Sequence, residues 1–473
     1  MAMRLLTSTP GLLDDLVAPE NVVSVLERSV EQAGGVKPPE TQTAAYLLAT
    51  LSQATWSPET LAAVADKYSC CAPLAGHTDI EHKSVLCCLL VVVEQLTQQL
   101  SVVSVSLLRA ASSAPLYGLL FTAKLLLSQI DLRECKSEAW CEFISRLVGL
   151  SFSCSQAVAS VVNNDSPEGH FPMDFDFDPA EGIGEDGVEG VTSQMVLLCS
   201  WRTVKEVSLL LGFLAEEASI TGTSEDDGLL SGEDLLKIGD HLTNLLAETK
   251  HRGAFEQAYI GFCKLVSRLW KLPAGMLRSL PLQWLEETMQ EISKNNENLC
   301  ATRRSAGLPF MIQALICTQL EVEGASSIES WMSQLLDLAE SATASPTTHT
   351  HALNILRALF RNTQLGEAVG VFVERAIIVT ITAFSASSWM ERNSATLLLS
   401  ALMTRVFGVP RSKSQDHLSW KNKMTGRIFF QRYPKLFGFF PTRAEKSLFK
   451  VRQFAPIVVS CATCSRETVP FLT

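Results

Sequence analysis

An all-α fold of stacked helix pairs is what this sequence predicts, on three observations. Apolar residues recur at helical spacing: Ala352, Ile355, Leu356, Leu359 and Phe360 fall at i, i+3, i+4, i+7 and i+8 and share one face. Helix starts are marked, since Ser57-Pro58 and Ser345-Pro346 each set a capping hydroxyl before a proline at the first helical position, and Ser231-x-x-Asp234 is a capping-box variant. No alternating run of any strength points to a strand. The periodic segments at 347–362, 367–385 and 387–407 follow one another about every 20 residues, so pairs repeat at roughly 40, as in a HEAT/armadillo-like α-solenoid. Each pair would hide one face on its neighbours and leave a concave surface suited to a large partner.

Composition agrees. The chain has 473 residues, 47% hydrophobic and 19% charged, too apolar for disorder and long enough for a large core. Its thirteen cysteines are scattered, with Cys70-Cys71 and Cys87-Cys88 inside apolar runs, which suits thiols in a reducing compartment. The start of the chain lacks the apolar stretch of a secretory signal. The most apolar region, 84–108, is interrupted by Glu94, Gln95, Gln98 and Gln99, so it reads as one buried helix rather than a membrane span. These features predict a soluble, cytoplasmic protein that is not integral to a membrane.

Along the chain the expected organisation is helical repeats over 1–162, an acidic flexible loop over 163–191, a central helical block over 192–440 and an atypical tail over 441–473. The loop is assigned on nine acidic and no basic residues between 163 and 190. A second solvated insertion spans 221–232. Net charge is −11, but residues 401–473 carry 13 basic against 3 acidic side chains, a basic end on an acidic protein.

Catalytic and metal motifs do not survive inspection. Gly182-Ile183-Gly184-Glu185-Asp186-Gly187 matches G-x-G-x-x-G in form only, among carboxylates and without a preceding strand, so no dinucleotide or S-adenosylmethionine site is expected. Asp174 to Asp178 mimics a calcium loop, yet Pro179 sits where the sharp turn needs glycine. Cys461 and Cys464 form a lone C-x-x-C, and His349 and His351 are two apart, pointing to different sides of a helix rather than giving an i, i+4 zinc pair. No cofactor, metal or nucleophile is predicted, so the chain is read as non-catalytic.

The segment Arg303-Arg304-Ser305-Ala306-Gly307-Leu308-Pro309 is the strongest candidate site. It sets two fixed positive charges beside a glycine with no side chain to block a ligand, and guanidinium pairs suit phosphate oxygens. A helix N-terminus disfavours cations, so the pair gains from an anionic partner. Pro309 would start or kink a helix and fix how the pair is presented.

Basic side chains elsewhere extend the idea. Asn354, Arg357 and Arg361 are expected opposite the apolar stripe of their helix, and Arg392 follows Trp389 on another. Toward the end Lys421, Lys423, Arg427, Arg432 and Lys435 interleave with Trp420, Phe429, Phe430, Tyr433, Phe437 and Phe439, either a local core or the pairing of cations and stackable rings that suits unpaired nucleotides.

RRSAGLP, together with WRTVKEVSLLLG from Trp201, HALNILRALFRN from His351, WMERNSATLL from Trp389 and FFQRYPKLFGFF from Phe429, resembles the thyroid adenoma-associated protein family over 193–440, about half the chain. Members of that family are much longer, which implies a fragment or short isoform. The resemblance implies an adaptor that binds tRNA and supports a FtsJ-like methyltransferase in 2′-O-ribose methylation of nucleotide 32 of the anticodon loop. It also implies that residues 303–309 are the part tied to tRNA modification, with the methyltransferase rather than this chain holding the cofactor. The alternative is an importin- or armadillo-type scaffold that grips a peptide or a membrane-protein tail.

Overall fold

A computed structural model describes residues 18–75, 80–163, 192–221, 228–294, 307–324, 326–408 and 426–446. Residues 164–191 and 222–227, the G-x-G-x-x-G match and the C-x-x-C lie outside them, as do Arg303 to Ala306, Lys421 and Lys423. The end of the second insertion is not solvated as expected: Leu229 and Leu230 are buried and a helix begins at Gly232. The described residues are α-helical and contain no strand; a single parallel pairing joins Ile220 to Leu230.

The chain divides into two compact units. The first contains α1 (Pro19–Ala33), α2 (Pro38–Gln53), α3 (Pro58–Lys67), α4 (Ala72–Ala75), α5 (Lys83–Val105), α6 (Leu107–Ser113), α7 (Tyr117–Leu127), α8 (Glu138–Val162), α9 (Ser193–Glu217), α10 (Gly232–Glu248) and α11 (Arg252–Lys271). Two helices, α12 (Met276–Ser293) and α13 (Leu308–Glu323), have residues assigned to each unit. The second contains α14 (Ser326–Glu340), α15 (Pro346–Arg361), α16 (Val373–Ala383), α17 (Trp389–Phe407), α18 (Gly426–Arg432) and α19 (Pro434–Lys446).

Local sequence sets the helix ends as expected. Ser57 accepts from Thr60 N and Ser345 from Thr348 N, both at 3.1 Å, each beside a proline in the first turn. Ser231 and Asp234 close a reciprocal capping box, with Ser231 N donating to Asp234 Oδ2 at 2.9 Å. The expected single helix over 84–108 is instead two. α5 ends at Val105, Ser106 turns extended, and its hydroxyl caps α6 by accepting from Arg109 N at 3.2 Å.

In the first unit α2, α7, α9 and α11 pack side by side in order, while α5, α8 and α10 back the row. α5 is long and apolar enough to cross a membrane, but its two faces are taken up by this packing: Val85, Leu86, Cys87, Cys88, Leu89, Val92 and Leu96 are all buried. Its Gln99 is buried too, donating from Nε2 to the Gly34 carbonyl at 3.0 Å. Tyr117 Oη to Val36 O at 2.5 Å and Trp140 Nε1 to Glu81 O at 2.8 Å satisfy other turn carbonyls in the same way. The ten described cysteines are free thiols, and burial alone pushes that of Cys154 up to about 12.

Where α9 crosses α11, backbone meets backbone. A Cβ on Gly212 would lie 2.5 Å from the Gly261 Cα, and one on Gly261 would strike the Ser208 carbonyl oxygen. Neither obstacle is a movable side chain, so both positions require glycine. In the second unit α15 packs on α14 and α17, and α16 on α17 and α19. The stripe Ala352, Ile355, Leu356, Leu359 and Phe360 is at most 1% exposed.

Two predictions follow from this packing. Gly212→Val should force α9 and α11 apart and cost about 3 kcal/mol in urea unfolding, whereas Gly149→Ala, where a Cβ meets open space, should cost nothing measurable. His241 and His351 are both pushed down to about 4 by burial. Their folded values lie below the unfolded value near 6.5, so the unfolded chain binds more protons between the two, and stability present above about pH 6.5 drains as pH falls toward 4. For His351, 1% exposed with neither ring nitrogen partnered, the loss at pH 5 is on the order of 2 kcal/mol. His351→Phe should flatten that part of the melting temperature's pH dependence.

Candidate nucleic-acid interface

The described half of the RRSAGLP segment is an anchor. Gly307, Leu308 and Pro309 are buried, and α13 starts at Leu308 with Pro309 in its first turn, where a proline costs no hydrogen bond. The space expected to stay open beside Gly307 is filled: an added Cβ would meet the Leu246 side chain and lie 3.1 Å from that residue's Cα and carbonyl oxygen. Phe310 follows, its ring 5.6 Å from Phe255 and 5.5 Å from Tyr259, and Gln313 Nε2 donates to Tyr259 Oη at 3.0 Å. Residues 307–313 are thus bolted to α10 and α11. Arg303, Arg304, Ser305 and Ala306, immediately upstream, lie outside the described residues.

WRTVKEVSLLLG is the middle of α9, and its polar residues are engaged. Trp201 stacks on His251 at 5.4 Å, and His251 Nδ1 accepts from Ala254 N to cap α11. Burial holds the His251 imidazole below its ordinary pKa, which keeps that nitrogen free to accept. The Arg202 guanidinium lies 5.3 Å from the Tyr117 ring and 5.8 Å from that of Trp201. Glu206, 5% exposed, has Lys205 Nζ at 3.0 Å and Lys124 Nζ at 3.7 Å. Charge counting along the sequence missed this cluster, because its lysines come from segments far apart in the chain.

In the second unit the candidate cations divide by what they touch. Arg361 ends α15 exposed, and Arg357, one turn earlier, is half-buried. Asn354 is on the same side of α15 but is only 7% exposed, because α15 has neighbours on more than one side. Arg392 is spent on its own backbone, donating to the Ala386 carbonyl at 2.8 Å and the Ser387 carbonyl at 2.6 Å. Arg405 likewise closes the end of α15 by donating to the Phe360 and Asn362 carbonyls. His349 and His351 do point to different sides. His349 lies between Glu391 Oε1 at 2.6 Å and the Ser341 carbonyl at 2.7 Å, while His351 is in the core, and among the described residues no cluster of metal-ligating side chains occurs.

The last helix pair divides the named rings between core and surface. Phe429 and Tyr433 are core, at 1% and 5% exposure, and Phe407, Phe430 and Phe440 pack around them. Of the named rings within the described residues, Phe437 alone is widely exposed, at 69%; Trp420 lies outside them. Arg427, Arg432 and Lys435 are exposed; Arg432 lies over the Tyr433 ring at 5.9 Å, and the backbone N–H of Lys435 donates to Glu374 at 2.6 Å. The structure brings Arg357 and Arg361 together on one helix and Arg427, Arg432 and Lys435 on one helical pair. Arg392 is instead taken up by two backbone carbonyls.

Comparison with known proteins gives this arrangement a family. The THADA/TRM732 (DUF2428) family profile matches residues 142–390, and that of the Trm732 C-terminal TPR repeats matches 392–455. A Drosophila melanogaster protein named tRNA (32-2′-O)-methyltransferase regulator THADA is 42% identical over 399 residues, covering 78% of this chain and 23% of its own length. The Homo sapiens protein of that name is 34% identical over 475 residues, covering 89% and 24%. The regulator trm732 of Schizosaccharomyces pombe is 28% identical over 377 residues, covering 77% and 24%. The chain therefore spans about a quarter of the length of the curated relatives it matches. With more than half of its residues inside the family profile, and with a relative 42% identical over 78% of its length, the chain belongs to the THADA/TRM732 family.

Proposed function

We propose that this chain is a non-catalytic regulator that binds tRNA and supports a FtsJ-like methyltransferase in 2′-O-ribose methylation of nucleotide 32 of the anticodon loop. The observation that carries the reading is that relatives from insect, mammal and fission yeast all bear the name tRNA (32-2′-O)-methyltransferase regulator. The chemistry belongs to the partner enzyme, which brings the S-adenosylmethionine. This chain supplies positioning, acts in the cytoplasm, and reaches the RNA through Arg303 and Arg304.

What supports this role for the arginine pair is the geometry downstream of it. Residues 307–313 are fixed to α10 and α11, so the segment that leads into them starts from a rigid base rather than from a loose loop. Arg357, Arg361, Arg427, Arg432 and Lys435 are proposed as further phosphate contacts that hold the RNA without reading its sequence. Arg392 contributes by shaping the start of α17, since its guanidinium already serves two carbonyls.

The test is a reconstituted methylation assay with unmodified tRNA, the methyltransferase and S-adenosylmethionine. Arg303→Ala/Arg304→Ala should lower methylation of nucleotide 32 by on the order of 10- to 100-fold in protein that still melts cooperatively. Gly307→Val should lower methylation and stability together, because the backbone of Leu246 cannot yield to a side chain there. Methylation that proceeds equally without the chain would overturn the reading and bring the peptide-binding scaffold forward.

A further inference from the structure

One convergence of cations in the first unit belongs to none of the candidate contacts above. Lys124 of α7, Lys205 of α9 and Lys264 of α11 come from three helices that lie side by side, and Arg202 sits one turn before Glu206 on the central one. Their heads remain partly open, with side-chain exposures of 24% for Lys124 and 34% for both Lys205 and Lys264. Two carboxylates sit among these four cations. Glu216 takes Lys264 at 2.5 Å, and the buried Glu206 is shared by Lys205 and Lys124. Glu206 Oε2, facing Lys124 at 3.7 Å, has no hydrogen-bond partner.

The balance is therefore positive and incompletely compensated. Burial pushes the Lys124 ammonium below its ordinary pKa; Glu206 opposes that shift, while Lys205 and Lys264 add to it. An anion arriving from solvent relieves the repulsion that these neighbours create. Helices in contact are about 8–10 Å apart, so cations on three successive helices form a row rather than a cup. A row of compact ammonium charges suits a string of phosphates, whereas a single free phosphate is better held by backbone N–H groups at a helix start.

We infer that Lys124, Lys205, Lys264 and Arg202 form a docking row for an RNA phosphodiester backbone, with buried Glu206 as the positioning residue that holds the Lys124 and Lys205 heads in place. The inference rests on the tRNA-regulator reading above and extends the RNA contact to the face formed by α7, α9 and α11. Glu206 touches no phosphate. It counters the mutual repulsion of two ammonium groups while the RNA is absent.

The experiment is a salt titration of unmodified tRNA binding to the whole chain, read by fluorescence anisotropy. Lys264→Gln should weaken binding several-fold at low salt and lower the slope of log K against log salt by about 1, and Lys264→Arg should restore both. Lys205→Gln/Glu206→Gln, which leaves no lone buried carboxylate, should lower the slope again. Lys264 pairs only with half-exposed Glu216, so its variants carry the test even where the double variant does not fold. Wild-type binding with slopes unchanged in every variant overturns this inference and leaves the regulator reading standing, whereas no wild-type binding at low salt overturns both. Displacement of tRNA by inorganic phosphate at matched ionic strength, or tighter binding of polyglutamate than of tRNA, also overturns it, in favour of a free-phosphate or an acidic-peptide site.

Discussion

The first unit depends on how closely α9 and α11 approach. With hydrogen in place of side chains at Gly212 and Gly261, the two backbones meet directly, and what lies along the contact is drawn into register: Trp201 on His251 toward one end, Glu216 on Lys264 toward the other. Because α9 also packs on α7 and α8, its position governs where Lys124 and Glu206 meet. A side chain at either glycine would have to displace backbone, and close-packed interiors transmit such shifts rather than absorb them.

The same economy of space explains the fate of the cations. Helix ends leave carbonyl groups without partners, and arginine, with several donors on a planar head, satisfies two of them at once. Arg405 does so at the end of α15 and Arg392 ahead of α17. Both hold loops in place and neither is left for a phosphate. Glu206 does the reverse: a carboxylate that looks ordinary in sequence is taken inside, where losing its ammonium partners would leave a costly buried charge. Surface and interior electrostatics are thus separated by packing, not by residue type.

Neighbouring histidines make the point within three residues. His349 is held between a carboxylate and a carbonyl, and His351 is sealed in the core with no polar partner, although both belong to one helix start. One contributes a link between α15 and α17 through Glu391; the other makes the second unit sensitive to acid.

Much was legible in the sequence. The caps at Ser57, Ser231 and Ser345, the apolar face of α15 and the all-α class rest on interactions within a few residues, where short-range rules apply, and the RRSAGLP segment carried the family resemblance. Other readings failed for a common reason. Asn354 was assigned outward by periodicity, the rings around Phe429 were left by composition between core and nucleotide contact, and the space at Gly307 was assigned to a ligand, yet each position is filled by a segment far away in the chain or by a second helix face. Periodicity fixes which residues share a side of a helix but not how many sides are covered. The sequence by itself therefore determined the helical class, the capped helix starts and the family. Only the tertiary structure decided which glycines are crossings, which arginines are caps and which lysines converge, because those depend on distances between helices that no local pattern encodes.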